Sequence, residues 1–257
     1  MKGRALNAAQ TVAGTPLASR VAVLAFHKIG EPPPLGWESW YYVPEPTFAR
    51  YLETLDEEGW QVIGLDTFLR CLAGSERLPE RAALLTFDDG YQSIRDSALS
   101  VLRQFDCPAV LFVPTDYIGG RNGFDVDCEP EEAICDWDDL RELERLGISI
   151  QPHGASHRSF SELDPAEQDA ELRRSKAILE TGLGKLVEVF SFPYGDDGAD
   201  PAATAMLLGR ADYRAAFLYG GGPIRLPVTD SYRLARLAMG PDTDLRAMLT
   251  QEAVVAP

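Results

Sequence analysis

The sequence predicts one α/β domain built on a parallel sheet, either open or closed into a barrel. Three observations carry this. Short apolar runs alternate with amphipathic runs over most of the chain. A chain of 257 residues has room for one large domain with a sizeable core. The polar residues able to do chemistry fall just after the apolar runs, where such folds collect their working groups.

Residues 1–20 show no periodicity and read as an N-terminal tail, leaving 21–250 as the domain. Residues 21–27 (VAVLAFH) form a buried strand. The loop after it, EPPPLGWESWYYVPEP, is too rich in proline for helix and carries Trp37, Trp40, Tyr41 and Tyr42. Thr47 caps a helix with Phe48, Leu52 and Leu55 on one face, stopped at Gly59. Residues 82–87 are a buried strand that runs into Asp88, Asp89 and Gly90. A helix over about 93–105 presents Ile94, Ala98, Leu102 and Phe105 on one face, and residues 109–113 are the next strand. Asp136 caps a helix bearing Trp137, Leu140 and Leu143, closed by Gly147, and residues 149–153 form a short strand. Asp164, Pro165 and Glu167 supply a cap, a first-position proline and an acid three residues after the cap, starting a helix that reaches about residue 182. Residues 187–192, 214–218 and 234–239 are further strands.

Forty Asp and Glu against 24 Lys and Arg leave a formal charge of −16. That excludes a general nucleic-acid binder, which needs a basic surface, and disfavours polyanionic substrates and anionic membranes. No apolar run reaches the roughly 20 residues of a membrane-spanning helix. The first twenty residues lack the apolar core of an export signal, which favours a cytoplasmic protein, with a periplasmic or secreted one left open if a leader is missing. The four cysteines are too sparse for a disulfide scaffold or a thiolate zinc site. Cys128 and Cys135 share one acidic loop and either bridge or are bystanders. The oligomeric state has no signature in the chain.

Two adjacent carboxylates, Asp88 and Asp89, end a strand. Strand side chains alternate, so both face one ligand only if the strand stops at the pair, which Gly90 permits. Close carboxylates repel, and a bound cation relieves this; a simple capped turn is the plain alternative. His153 and His157 are two of only three histidines and lie four apart. On a helical turn both imidazoles would reach one metal. The run FSFPYG ends another strand with rigid Pro193 and permissive Gly195, a turn able to aim a backbone N–H inward as an oxyanion donor. His27, the remaining imidazole, also ends a strand and is the one candidate for a general acid outside the pair. Two histidines and a carboxylate with open positions are a common hydrolytic metal arrangement, in which a spare carboxylate takes a proton from water.

TFDDG, the spaced HxxxH and FPYG, in that order, resemble the polysaccharide deacetylase family (carbohydrate esterase family 4, the NodB-homology domain). The resemblance runs from about residue 21 to 239. It implies a single-domain deformed (β/α) barrel and a divalent metal, usually Zn2+, with Co2+, Ni2+ or Mn2+ as alternatives. It further implies Asp89, His153 and His157 as metal ligands and Asp88 as the general base that activates water. The implied reaction removes an N-acyl group, typically N-acetyl, from an amino sugar or glycan, with the Tyr194 N–H stabilising the oxyanion.

The chain departs from the family pattern in three places. Ser191 stands where the family often has an arginine that orients the base, a form similar to poly-N-acetylglucosamine deacetylase-like members. No histidine follows position 157, so the late Leu-x-His motif is absent; LAFH, ending at His27, resembles that motif moved to the N-terminus, as in a circular permutation, and implies His27 as general acid. No Asp-to-Trp fourth motif follows residue 200, which leaves Arg236 as a candidate contact to substrate or base, or as a buried salt bridge. Trp37, Trp40 and Pro193 are candidate substrate contacts, and residues 121–135 a further wall of the site. The rival reading is a weak or inactive carbohydrate-binding relative, against which the intact set of Asp88, Asp89, His153 and His157 argues.

Overall fold

Strand β1 (Arg20–Phe26) leads through two short strands, β2 (Lys28–Ile29) and β3 (Tyr42–Val43), to helix α1 (Glu45–Glu57). Then come β4 (Gln61–Val62), α2 (Leu65–Leu72), β5 (Arg81–Phe87), α3 (Leu99–Gln104) and β6 (Ala109–Val113). The second half holds α4 (Trp137–Arg145), β7 (Ile148–Pro152), α5 (Pro165–Leu183), β8 (Val189–Ser191), α6 (Pro201–Arg210) and β9 (Ala215–Phe217). It closes with β10 (Ile224–Arg225), β11 (Leu237–Ala238) and α7 (Leu245–Thr250). The computed structural model describes residues 20–33 and 39–251; Trp37 and all of the expected tail but Arg20 lie outside them.

Strands β1, β5, β6 and β7 lie side by side and parallel. Strands β8 and β9 form a separate parallel pair. The two groups meet on one side where Phe217 of β9 bridges Leu234, just before β11 pairs with β1 at Leu24. On the other side no ladder joins β7 to β8 among the described residues. Gln151 Oε1 stitches that seam by accepting the N–H groups of Glu188 (2.9 Å) and Val189 (3.1 Å). The result is the deformed barrel that the resemblance implies.

Alternation along the strands sorts the core into layers. Val21, Val23, Leu84, Phe112, Val189 and Phe217 belong to one buried cluster inside the ring, which Phe68 and Leu69 of α2 complete. Ala22, Leu24 and Phe26 have the opposite parity and pack outward with Phe48 and Leu52 of α1. The inward parity falls on Ser191, the last residue of β8, and, counting on past the other strand ends, on His27, Asp88, His153 and Tyr219. The barrel therefore presents polar groups at the mouth above an apolar filling.

Several local expectations need correction. Thr47 does not cap α1, whose N-cap is Pro44 without a side-chain cap bond; Pro46 sits in its first turn, where a missing N–H is harmless. The helix expected over 93–105 opens with a π-turn, Ile94–Ala98, before α3 begins. The expected caps Asp136 and Asp164 both form full capping boxes. Helix α6 starts on the same cap-and-proline signature, Asp200 and Pro201, which the sequence analysis passed over. All four cysteines are free, with Cys128 exposed and Cys135 buried, so the acidic-loop pair are bystanders. No helix among the described residues is long and apolar enough to cross a membrane.

Candidate active site

Strand β5 stops at Phe87, and Asp88 keeps the inward parity. Asp89 then takes φ 71°, in the left-handed region, and Gly90 follows at φ 73°. A regular strand would turn Asp89 away; the left-handed turn brings it to the same cavity as Asp88. Gly90 has little alternative, because a Cβ there would stand 3.0 Å from the Val113 side chain.

His153 follows β7 with inward parity. Its Nδ1–H donates to the Ser191 carbonyl (2.7 Å), which fixes the tautomer and leaves Nε2 bare, 3.4 Å from Asp89 Oδ1. His157 does not arrive on a helical turn, as the four-residue spacing suggested. The connecting segment is irregular, with Gly154 at φ 75° and His157 at φ 59°. Glu171 of α5 holds it, accepting the N–H groups of Ala155 (2.6 Å) and Ser156 (2.9 Å) and the Ser156 hydroxyl (2.8 Å). His157 Nε2 ends 3.1 Å from Asp89 Oδ1. One ligand-type atom from each of Asp89, His153 and His157 lies within 4.8 Å of the others, and all three residues are buried.

Two imidazole nitrogens and one carboxylate oxygen, converging this closely with a backbone-fixed tautomer, are the donor set a divalent cation takes, so these residues fit a metal. Burial works to raise Asp89, but the hydrogen bond and charge of His157 hold it well below the usual carboxylate range. Burial pushes His153 down to about 4, so its ring is neutral near pH 7, as a ligand must be.

Asp88 stands outside that cluster. Arg236, fully buried, grips it with two parallel bonds, Nη1 to Oδ1 and Nη2 to Oδ2, each 2.7 Å. The same guanidinium donates to Ser191 Oγ (2.8 Å), Thr86 Oγ1 (3.2 Å) and the Leu218 carbonyl (2.7 Å), over the face of Phe112. Of the alternatives for Arg236, the observed contact is to Asp88, the residue expected as base, and it takes the form of a buried salt bridge; Arg236 does not line the cavity. The small Ser191 side chain leaves room for it and accepts one of its bonds. Burial acts to raise Asp88, but the Arg236 charge outweighs it and holds the carboxyl below its usual range.

The FPYG turn puts Tyr194 at φ 59°, a conformation costly for tyrosine. Its N–H donates to no protein acceptor among the described residues. Gly195 passes so close to Tyr219 that a Cβ would stand 2.5 Å from its nitrogen. Pro193 is buried behind Gly154 and does not line the cavity. His27 does line it, with its ring against Tyr41 (4.5 Å between centroids) and Tyr219 (5.4 Å). His27 Nδ1 is buried without a partner among the described residues. Burial lowers the His27 pKa, and the charges of Asp89 and Asp88 work against that. Trp40 is exposed, bonded through Nε1 to Asp242 (2.7 Å), and does not line the cavity; Tyr41, beside it, forms wall. The 121–135 loop supplies Phe124, Asp125, Cys128 and Glu129 to a cavity of about 340 Å³. Burial and the Asp89 charge push Asp125 up to about 6.

Sequence reasoning missed Tyr219, Asp125 and Glu171. Strand parity, carried two residues past Phe217, would have found Tyr219. Nothing local marks Glu171, whose partners lie 15 and 16 residues away.

The sequence profile of the polysaccharide deacetylase family matches residues 75–215, over half of the chain. YxkH of Bacillus subtilis is 25% identical over 177 residues, 69% of this chain and 57% of YxkH. The poly-β-1,6-N-acetyl-D-glucosamine N-deacetylase of Staphylococcus aureus is 23% identical over 164 residues, 60% of this chain and 54% of that protein. The chain thus spans little more than half the length of these relatives. The structure of Streptococcus pyogenes deacetylase PplD shares the fold, with a TM-score of 0.75 at 20% identity over 88% of this chain and 94% of PplD. The profile match and the shared fold place the chain in one class, that of the polysaccharide deacetylases. The chain belongs to the polysaccharide deacetylase family.

Proposed function

We propose that this chain hydrolyses the N-acetyl group of an amino sugar in a glycan, with a divalent cation, zinc before others, held by Asp89, His153 and His157. One observation carries the reading: a single cavity holds Asp88, in the grip of Arg236, beside that buried ligand cluster. The staphylococcal relative's name supports a poly-N-acetylglucosamine substrate.

Bound there, the cation supplies Lewis-acid polarisation of the acyl carbonyl and a more acidic water. Asp88, charged and oriented by Arg236, accepts the proton of the attacking water. The Tyr194 N–H, free of any protein acceptor among the described residues, donates to the carbonyl oxygen as it gains charge. His27 relays the proton that Asp88 has taken to the departing nitrogen, so acetate and a free amine leave and Asp88 regains its charge. Tyr41 and Tyr219 offer flat faces beside the reacting sugar.

Metal-loaded protein is expected to release acetate from N-acetylglucosamine oligomers, and chelated protein to release none. Full release from protein shown to hold no metal would overturn the reading. His157→Ala, which removes one of three ligands, is expected to bind less than stoichiometric zinc by elemental analysis; wild-type zinc affinity in this variant would contradict the ligand set. Glu171→Ala frees the loop that aims His157 and is expected to weaken metal affinity about 10–100-fold, measured by competition with a chelating dye.

A further inference from the structure

Building on the amidase reading, we propose that Lys28 is a positioning residue for the reaction. Its buried side chain anchors the 121–135 loop as a wall of the catalytic cavity and so sets how tightly substrate binds. Lys28 is only 1% exposed. Its Nζ lies over the rings of Tyr42 and Tyr91, 4.6 and 4.7 Å from their centres. Its carboxylate partner is Glu129, at 2.7 Å. A buried charge without its partner is costly. Pairing therefore draws Glu129, 101 residues further on, onto Lys28, together with the loop that carries it.

Other contacts reinforce this anchor. The Ser39 hydroxyl donates to the Glu129 carboxylate, 2.8 and 2.7 Å from its two oxygens. The Tyr42 hydroxyl donates to Glu132 Oε1 (2.6 Å), and the Tyr91 hydroxyl to Asp125 Oδ2 (3.3 Å). Inside the loop, Asn122 donates to the Pro130 carbonyl (3.0 Å) and accepts the Glu132 N–H (2.7 Å), which holds residues 122–132 as one unit. That unit presents Phe124, Asp125 and Cys128 to the cavity that also holds Asp88, Asp89 and His153. Lys28 places a second wall through its backbone. Its N–H donates to the Tyr41 carbonyl (3.1 Å), beside the β2–β3 pairing, and the Tyr41 ring packs on His27.

The chemical step does not need the anchor. Lys28 and Glu129 lie outside the ligand cluster, and Arg236 is the group that orients Asp88. A loop that spends part of its time out of place lowers the fraction of protein competent to bind. KM then rises by that factor while kcat holds.

The test must separate anchoring from direct contact, because Lys28 and Glu129 themselves line the cavity, whereas Ser39 and Tyr42 do not. Ser39→Ala and Tyr42→Phe each remove one hydrogen bond from outside the cavity, and phenylalanine keeps the ring over Lys28. Each is expected to raise KM for acetate release from N-acetylglucosamine oligomers about threefold, and the pair about tenfold, with kcat within about twofold of wild type. Zinc should stay stoichiometric. Lys28→Met is expected to raise KM about tenfold, and adding Glu129→Gln to it should cost little more, since both remove one interaction. Unchanged KM in the Ser39→Ala/Tyr42→Phe protein, or a fall in kcat at unchanged KM, would overturn the proposal.

A second arm reads the loop directly, by amide hydrogen exchange on chelated protein. The N–H groups of Asp125, Cys128 and Glu129 are bonded within the loop and are expected to exchange about tenfold faster in the double variant. Exchange at the wild-type rate would overturn the anchor. Failure of metal-loaded wild type to release acetate from any sugar would instead sink the amidase reading, and the exchange arm, which needs no turnover, decides the anchoring in either case.

Discussion

Asp88→Asn is expected to lower kcat about 10²–10⁴-fold, the usual contribution of a positioned general base, while zinc stays stoichiometric. Asparagine keeps the size of the side chain and an oxygen for Arg236 but has no basicity. The cluster of Asp89, His153 and His157 does not include position 88, so metal content should not follow activity. Removing the charge from a buried pair costs about 3–5 kcal/mol, so rate and metal content belong well below the variant's melting temperature. Here Arg236 keeps its bonds to Ser191, Thr86 and the Leu218 carbonyl, which favours a folded variant. Undiminished turnover with metal bound would remove Asp88 from the role of base, and loss of metal along with turnover would make it a ligand.

Arg236→Leu is expected to be the most damaging single change to stability. It leaves the Asp88 carboxylate buried without its partner, an effect of about 3–5 kcal/mol, and it also strips a bond from Ser191 Oγ and from the Leu218 carbonyl. Activity should fall as well, because Asp88 loses both its orientation and the charge that keeps it ionised. The pH dependence separates the pair from mere packing. Asp88 is held below its unfolded value of about 3.9, so the pair stabilises the fold fully above that pH and ceases to do so as acid carries the pH through the lowered value. Urea midpoints measured from pH 7 downwards should therefore fall more steeply in the wild type than in Arg236→Leu. Parallel curves would deny the pair its electrostatic role. Arg236→Lys, which keeps the charge but not the two-pronged grip, should lie between the two.

The strands and the main helices were legible because their signals are local. The capping boxes at Asp136 and Asp164, the apolar runs behind β1, β5 and β6, and the glycine after α1 each act within a few residues. The start of α1 was misplaced at Thr47 because a residue with good capping chemistry lay inside a helix that Pro44 and Pro46 had already begun. Strand parity likewise explains why His27, Asp88 and His153 share one mouth: His27 and Asp88 lie an even number of residues from inward-facing Val23 and Leu84, and His153 an odd number from outward-facing Ile150.

The sequence by itself determined the parallel α/β class, the order of the motifs and the residue types able to form a carboxylate–imidazole site. Parity decides which side of a strand a residue faces, and that is written in spacing. Asp89 breaks parity, and only a left-handed turn returns it to the site. His157 reaches the site by an irregular loop that Glu171 shapes from another helix. Arg236 meets Asp88 across 148 residues of chain, through space that Ser191 leaves open. Such contacts depend on the closure of the barrel, which brings strands far apart in sequence to one mouth. No window of neighbouring residues carries that information, so the counter-ion of Asp88 and the shape of the loop that brings His157 to Asp89 were decided by the tertiary structure alone.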